Sequence, residues 1–241
     1  MYSTETFGGI TLINADCMDV LRGLPDKAFD LAIVDPPYGI NAPNMTMGTA
    51  PKKSKSGDGV SVAQRLKKNR LNHECDKLEG RALNSMPLTW DCERPTPEYF
   101  TELFRVSRNQ TIWGGNYFDL PPTRGIICWD KVQPWENFSQ WEMAWTSFDQ
   151  TARLFRYSSR GGANTEKKIH PTQKPVALYA WLLSNFAKPG YRIIDTHGGS
   201  LSIALAAHDL GFELTAIERD PIYFKAARTR LAKHQLQRQL F

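Results

Sequence analysis

Short apolar runs and longer helical segments alternate in the C-terminal part of the chain, and this alternation constrains the fold more than any other feature. Residues 192–195 and 214–218 have the composition of buried strands, and helical segments follow them at 201–210 and 221–235. Strands that alternate with helices at this spacing predict a parallel sheet covered by helices on both faces. The predicted fold class is therefore α/β, a doubly wound and mostly parallel sheet, in a single domain spanning residues 1–241.

The remainder of the chain extends this pattern, with two exceptions. We predict further strands at 9–13, 31–34 and 111–113, an antiparallel strand pair at 125–129 and 141–148, and helices at 18–24, 96–106 and 175–186. Residues 41–90 have weak periodicity and many Gly, Ser, Asn and Lys, which predicts a basic, mobile insertion. Residues 148–169 also lack a clear period, and we interpret them as a loop and a candidate recognition element.

A carboxylate and two prolines follow one predicted strand directly. Residues 31–34 lead into Asp35-Pro36-Pro37-Tyr38, which places this motif at the carboxyl edge of the sheet, where α/β proteins bind ligands. Two consecutive prolines make a stiff turn without backbone donors. The Asp35 carboxylate and the Pro36 carbonyl would form rigid acceptors beside the Tyr38 ring, which suits a flat ring with an exocyclic amine. A simple strand-ending turn is the alternative, since Asp and Pro are common turn residues.

A glycine-rich turn follows the strand at 192–195. Gly198 and Gly199 allow the backbone to pass close to a ligand, and the start of the next helix supplies amide donors. Glu218 ends the following strand, about twenty residues on, where an acid can accept hydrogen bonds from both ribose hydroxyls of a nucleoside cofactor. A Gly-rich turn beside an unrelated acid is the alternative, because such turns are common.

The positive charge of the chain is concentrated in one segment. The chain has 30 Lys and Arg against 25 Asp and Glu, and residues 41–90 hold the whole excess, with nine basic and four acidic side chains. A basic excess next to a candidate site suggests a polyanionic substrate, whereas a solvated loop is the alternative.

Composition excludes other classes. No apolar stretch approaches the roughly 18 residues of a membrane span, and residues 1–6 lack a signal-peptide pattern, so we expect a cytoplasmic protein without membrane contact. The four cysteines include no C-x-x-C pair, and the close spacing of His73 and Cys75 lacks a second tight pair. We therefore expect reduced thiols and no metal.

Four motifs in a fixed order carry a resemblance to a known family. The D-P-P-Y motif at 35–38 is followed by H-P-T-Q-K-P at 170–175, by the turn at 195–201 and by the strand that ends in Glu218. This order resembles the S-adenosylmethionine-dependent amino-methyltransferases of DNA, in particular their circularly permuted beta group, in which the catalytic half precedes the cofactor half. The resemblance implies a Rossmann-like fold, S-adenosylmethionine as cofactor and double-stranded DNA as partner, in a bacterial or phage-encoded restriction-modification system.

The resemblance also assigns roles to individual residues. Asp35 would bind the target amine and Tyr38 would stack on the target base, with Pro36 and Pro37 completing the catalytic motif. The residues that would hold the cofactor are Asp16 beside its adenine, Thr172 and Lys174 beside its carboxylate, Asp195, His197, Gly198 and Gly199 in the turn, and Glu218 at the ribose. The basic excess of residues 41–90, and not the resemblance, predicts phosphate contacts from Lys52, Lys53, Lys55, Arg65, Lys67, Lys68 and Arg70.

Two positions depart from the family pattern. His197 stands where the family usually has Phe, and Leu201 where it often has Gly. We expect His197 to be a hydrogen-bonded packing residue and Leu201 to restrict the backbone. Both changes concern cofactor affinity rather than the fold.

The predicted function is site-specific methylation of adenine N6 in DNA, on a base turned out of the duplex. Aspartate at the first motif position favours adenine, because cytosine-N4 members of the family more often carry Ser there. Cytosine-N4 methylation is the nearest alternative, and a DNA-binding protein that kept the fold without catalysis is an alternative of another class. RNA or nucleotides as substrate and a homodimeric state also stay open.

Overall fold

A nine-stranded sheet forms the centre of the computed structural model, which describes residues 2–40, 91–133, 139–159 and 166–238. The strands are β1 (Ser3–Phe7), β2 (Ile10–Asn14), β3 (Phe29–Val34), β4 (Ser107–Trp113), β5 (Ile126–Asp130), β6 (Trp141–Thr146), β7 (Arg153–Arg156), β8 (Arg192–Asp195) and β9 (Glu213–Glu218). Their order across the sheet is β1-β2-β9-β8-β3-β4-β6-β5-β7.

Five neighbouring strands, β2, β9, β8, β3 and β4, run parallel to one another. Their carboxyl ends therefore meet at one edge of the sheet, as the sequence motifs require. Beyond them, β6 pairs antiparallel with β4 and with β5, which confirms the predicted antiparallel strand pair. The circular permutation of the family's beta group stays a prediction.

Helices cover both faces of the sheet. They are α1 (Cys17–Arg22), α2 (Pro97–Val106), α3 (Val176–Phe186), α4 (Ser202–Leu210) and α5 (Pro221–Arg238). Helices α3, α4 and α5 pack on one face, in an apolar cluster that includes Leu31 and Ile33 of β3. Helices α1 and α2 pack on the other face, where the alternate residues Ala32 and Val34 point. The doubly wound α/β fold is confirmed.

Local sequence signals explain where several helices begin and end. The Asp16 carboxylate accepts a hydrogen bond from the Met18 amide at 2.9 Å and caps α1. Pro97 occupies the first turn of α2, where its missing N–H costs nothing. Gly211 ends α4 in the left-handed region, with φ of 72°. No described helix is long and apolar enough to cross a membrane.

Two edge strands were not predicted. β1 has a largely exposed, polar sequence, and β7 lies within the segment 148–169 that we interpreted as loop. The loop interpretation is wrong for Arg153–Arg156, which pairs parallel with β5. Edge strands bury little surface, so they lack the apolar alternation on which strand prediction depends. The predicted insertion at 41–90 lies outside the described residues.

Candidate active site

The parallel strands have a topological switch point between β8 and β3, and we call the carboxyl edge of the sheet at this point the crevice. From β8 the chain continues to β9 on one side of this point, and from β3 it continues to β4 on the other side. The two connections therefore lead away from each other across the sheet. The register between β8 and β3 consists of Leu31 with Ile193 and Ala32 with Ile194, whereas β3 stays paired with β4 as far as Val34. Ligands of open α/β sheets bind at such a switch point. The D-P-P-Y motif and the cofactor turn follow the two strands that border it.

Both oxygens of the Asp35 carboxylate hold a hydrogen bond in this structure. The Tyr38 hydroxyl donates to Oδ1 at 2.6 Å, and the Lys174 ammonium donates to Oδ2 at 2.5 Å. An ionised carboxylate has about four acceptor positions, so two remain for a ligand. The described residues donate no backbone hydrogen bond to the Pro36 carbonyl. The predicted acceptors are therefore present, with capacity left.

The D-P-P-Y turn is held by a buried acid that the sequence did not identify. The Asp91 carboxylate accepts hydrogen bonds from the amides of Tyr38 at 2.6 Å and Gly39 at 3.0 Å. The Tyr38 ring stacks on Tyr117 with centroids 4.9 Å apart and packs directly on Gly114. A side chain at Gly114 would clash, because a Cβ there would lie 2.2 Å from the Tyr38 ring. Asp91 lies fifty-three residues from Tyr38 in the chain, and no local pattern connects the two.

Lys174 belongs to a buried network of alternating charges. Its side chain is 4% exposed, and it pairs with Glu142 at 3.0 Å as well as with Asp35. Glu142 pairs in turn with Lys131. Burial opposes the charge of Lys174, but Asp35 and Glu142 together raise its pKa. Burial alone would raise the pKa of Glu142, but Lys174 and Lys131 hold it at about 2.

The sequence motifs did not identify Glu142 and Lys131 as site residues. The available signal was Glu142 itself, an acid within the largely apolar strand β6. The resemblance assigns Lys174 to the cofactor carboxylate, and in this structure it pairs with Asp35 of the D-P-P-Y motif. Thr172 is exposed, and its hydroxyl lies 3.2 Å from Nδ1 of His170. The cofactor roles of Lys174 and Thr172 stay predictions.

The cofactor turn folds over the end of β9. Glu218 accepts hydrogen bonds from the amides of Gly199 and Asp220, each at 2.7 Å and each on a different carboxylate oxygen. The Gly198 amide donates to the Ile217 carbonyl at 2.7 Å. Burial raises the pKa of Glu218, although the two amides act against this effect. Glu218 thus holds the turn and keeps one acceptor position on each oxygen.

Leu201 adopts a backbone conformation that favours glycine. It caps α4 with φ of 53°, in the left-handed region, which costs a non-glycine residue about 1–2 kcal/mol. Its side chain is buried and covers Gly198, where an added Cβ would lie 2.6 Å from a Leu201 methyl carbon. Leu201 thus adopts a glycine-like backbone, and burial of its side chain offsets the cost; its effect on cofactor affinity stays a prediction.

His197 is a hydrogen-bonded packing residue. Its Nδ1 lies 2.9 Å from the Thr196 hydroxyl, and its Nε2 lies 3.9 Å from the Cys17 sulfur. The ring meets Tyr99 edge to face, with centroids 5.3 Å apart. Burial lowers the pKa of His197 to about 4, so the ring is neutral at pH 7.

Acidic groups surround the crevice. Asp195 is buried and accepts a hydrogen bond from the His197 amide at 3.0 Å. Burial raises the pKa of Asp195 to about 7, and the nearby charges of Asp35 and Glu218 add to the shift. Asp16 lies next to the end of β2, with its carboxylate 3.7 Å from the exposed Arg219. This arrangement favours a ligand that carries positive charge.

A group that could bind a metal lies at the far end of α4, away from the crevice. The ligand atoms of His208, Asp209 and His234 all lie within 4.8 Å of one another, and His234 Nε2 is already 2.7 Å from the Asp209 carboxylate. The described residues form no comparable group at the crevice. The seven residues predicted to contact DNA lie outside the described ranges.

The site combines a sheet with a switch point, an acceptor motif on one side of it and a glycine turn held by an acid on the other. These are the elements expected of a nucleotide-cofactor-dependent transferase. A family model described as DNA methylase matches residues 109–229, half of the chain. The chain belongs to this DNA methylase family. The class predicted from the sequence, an S-adenosylmethionine-dependent DNA methyltransferase, is confirmed.

Two curated relatives and two solved structures extend this finding. The chain is 23% identical to type II methyltransferase M.HinfI of Haemophilus influenzae, over 92% of this chain and 68% of the relative. It is 22% identical to type II methyltransferase M2.DpnII of Streptococcus pneumoniae, over 91% of this chain and 88% of the relative. The M1.HpyAVI–SAM complex aligns with a TM-score of 0.52 and 17% identity, covering 92% of this chain and 98% of that one. The PvuII cytosine-N4-specific DNA methyltransferase aligns at 0.53 and 14%, covering 95% and 90%. These two likenesses support the fold.

Proposed function

We propose that this protein transfers the methyl group of S-adenosylmethionine to N6 of adenine at specific sites in double-stranded DNA. One observation carries the proposal. The acceptors of the D-P-P-Y motif border the same crevice as the turn held by Glu218, so an amine and a methyl donor can meet between them. The confirmed family membership fixes DNA methylation as the class of reaction.

The residues at the crevice fit the proposed donor. S-adenosylmethionine carries a sulfonium and an ammonium group against one carboxylate, and it supplies an electrophilic methyl group when bound. Asp16, Asp195 and Glu218 place negative charge where such a cation would lie. Glu218 keeps two acceptor positions for the ribose hydroxyls, and the nearest atom to a Cβ added at Gly199 would lie 3.8 Å away. The backbone there leaves room for a ligand.

Asp35 and Pro36 would activate the amine. The exocyclic nitrogen of adenine is a poor nucleophile, because its lone pair is delocalised into the ring. Hydrogen bonds from its two N–H groups to the Asp35 carboxylate and the Pro36 carbonyl would favour a pyramidal nitrogen with a localised lone pair. The same acceptors would stabilise the positive charge that develops on nitrogen as its bond to the methyl carbon forms and the methyl–sulfur bond breaks. The nitrogen would then lose one proton, which gives the neutral methylated amine. No protein nucleophile is required.

The target base has to leave the duplex to reach these acceptors. Extrusion of a base costs a few kcal/mol, and stacking on an aromatic side chain offsets part of this cost. Tyr38 is the candidate, since a hydrogen bond holds its ring beside Asp35; the ring already stacks on Tyr117, so a base stacked on the same face would replace Tyr117. A base against Tyr38 would have its amine near the Asp35 carboxylate.

Nucleoside analysis of methylated DNA tests the proposal. Genomic DNA incubated with the protein and S-adenosylmethionine is digested to nucleosides and analysed by mass spectrometry. We expect N6-methyladenine. N4-methylcytosine instead would establish the nearest alternative, and DNA binding without methylation or measurable donor affinity would establish a non-catalytic protein.

Two finer proposals follow from the resemblance alone. We infer a cytoplasmic location in a bacterial restriction-modification system and a homodimer as a candidate assembly. Light scattering on the purified protein tests the assembly, and a monomer at working concentration would exclude the homodimer.

A further inference from the structure

We propose that Glu142 is a positioning residue for methyl transfer, which acts on Asp35 by balancing the positive charge that Lys174 and Lys131 place nearby. The inference rests on the proposed function, since it assumes that Asp35 binds the target amine. Glu142 lies on β6, on the far side of β4 from Asp35, and it would not touch the substrate amine itself.

Lys174 connects the two carboxylates directly. Its ammonium donates a hydrogen bond to Asp35 at 2.5 Å and forms an ion pair with Glu142 at 3.0 Å. Without Glu142, Lys174 and Lys131 would place two positive charges near the single negative charge of Asp35. Glu142 balances one of them, so Asp35 keeps acceptor strength for the amine.

The network is neutral as a whole. Lys131, Glu142, Lys174 and Asp35 alternate in sign along the series of ion pairs, with two positive and two negative groups. Removal of the Glu142 charge would leave a net positive charge beside a nitrogen that itself becomes positive during attack. In a largely buried site, a charge at this range changes the rate by about ten- to a hundredfold.

The protonation of Lys174 offers a distinctive readout. The groups that act on Lys174 or on its partners are Asp35, Glu142, Tyr38, His170, Asp195, Lys131 and Tyr179. Burial lowers the pKa of Lys174, and Asp35 and Glu142 reverse that effect. Without Glu142 the pKa of Lys174 falls, and release of its proton restores a neutral network. The rate of a Glu142→Gln variant should therefore recover as the pH rises.

Charge rescue provides the main test. Methylation of duplex DNA is measured for the wild type, Glu142→Gln, Lys131→Met and the double variant. We expect kcat of Glu142→Gln to fall about ten- to a hundredfold, with KM for DNA changed less than about threefold. The double variant is neutral again and should recover at least half of the decrease on a logarithmic scale. Glu102→Gln, which removes an acid paired with Arg105 away from the crevice, is the matched control and should keep the wild-type pH profile.

The outcomes separate this inference from simpler explanations. A double variant as slow as Glu142→Gln, with the same pH profile as the wild type, would show that Glu142 has only a structural role and would overturn the inference. Unchanged kcat in Glu142→Gln would do the same. If Glu142→Gln does not fold, Lys131→Met decides, because a network with excess negative charge should keep kcat within about threefold or increase it. An inactive wild type would refute the proposed function itself.

Discussion

Asp35 serves two sets of partners, and its removal should affect them differently. We predict that Asp35→Ala lowers the rate of methyl transfer by about 10²–10³, as expected for removal of one preorganised acceptor. Donor affinity should change less than about threefold, because the donor is assigned to the other side of the crevice. Single-turnover methylation and calorimetry measure the two quantities. Asp119→Ala, at an exposed position after the Gly115–Tyr117 turn, is the control; wild-type turnover of Asp35→Ala would refute the catalytic assignment.

Asp195 should make donor binding depend on pH. Burial raises its pKa to about 7 in the free protein, and a cation in the crevice would favour the ionised form and lower that pKa. Binding then releases a proton, so affinity should be highest above about pH 7 and fall as the pH drops below it. Calorimetry in buffers of different ionisation enthalpy would detect the proton. Asp195→Asn should remove the pH dependence, and equal slopes in both proteins would contradict the assignment.

The same ionisation has an opposite consequence for stability. The folded-state pKa of Asp195 lies above its usual value of 3.8, so the folded protein holds this proton more tightly than the unfolded chain. The contribution of Asp195 to stability is therefore largest at low pH and declines as the pH rises towards 7. Asp195→Asn should unfold at a higher denaturant concentration than the wild type at pH 7. The ionised Asp195 carboxylate is thus unfavourable for folding, and a cationic ligand would stabilise it.

At the scale of elements, the loop after β4 holds the D-P-P-Y turn through a single glycine. We predict that Gly114→Ala displaces the Tyr38 ring and lowers methyl transfer by at least about tenfold, because a Cβ would lie 2.2 Å from that ring. Gly211→Ala is a matched control. Both glycines have positive φ, 69° and 72°, but a Cβ at Gly211 meets nothing within 4 Å. Each variant should be destabilised by about 1 kcal/mol through backbone strain, and only Gly114→Ala should become less active.

Thermal unfolding and methylation rates of the two variants measure these effects. Wild-type activity in both Gly114→Ala and Gly211→Ala would mean that the position of Tyr38 is not important for the reaction. An equal decrease of activity in both would point to strain alone. The pair therefore separates the geometry of the Tyr38 turn from general destabilisation.

The elements that sequence could predict are those with a buried face. Most strands of the parallel block are rich in apolar residues and lie where they were predicted, but the polar first part of β4, residues 107–110, was not predicted as strand. Pro97 and Gly211 explain where α2 begins and where α4 ends. β1 and β7 bury little and could not be found. Asp91 and Glu142 were missed because their importance comes from interactions with residues far away in the chain. Motif spacing places side chains at an edge, but it does not predict which buried charges pair there.

At the scale of the whole molecule, the charge distribution predicts how DNA binding responds to salt. The chain's net charge of +5 resides entirely in residues 41–90, which lie outside the described residues. Each phosphate contact releases counterions, so neutralising Lys52, Lys53, Lys67 and Lys68 should flatten the salt dependence by about 0.9 log unit for each lysine that binds a phosphate. The preferred methylation site should stay the same, because phosphate contacts carry no sequence information. An unchanged salt slope would refute the DNA role of this segment.

The pairing of β2 with β9 determines when the sheet can be completed during synthesis on the ribosome. The Asn14 side chain donates to the Glu218 carbonyl, and 204 residues separate the two in the chain. At ribosomal speeds of about 5–20 residues per second, β2 waits roughly 10–40 s for its partner strand to be synthesised. The acceptor motif on β3 is made early, whereas the turn assigned to the methyl donor is completed only after β9 emerges. We therefore expect an emerging chain to lack methyl-donor binding until β9 has been synthesised, and added donor to speed up none of the earlier steps.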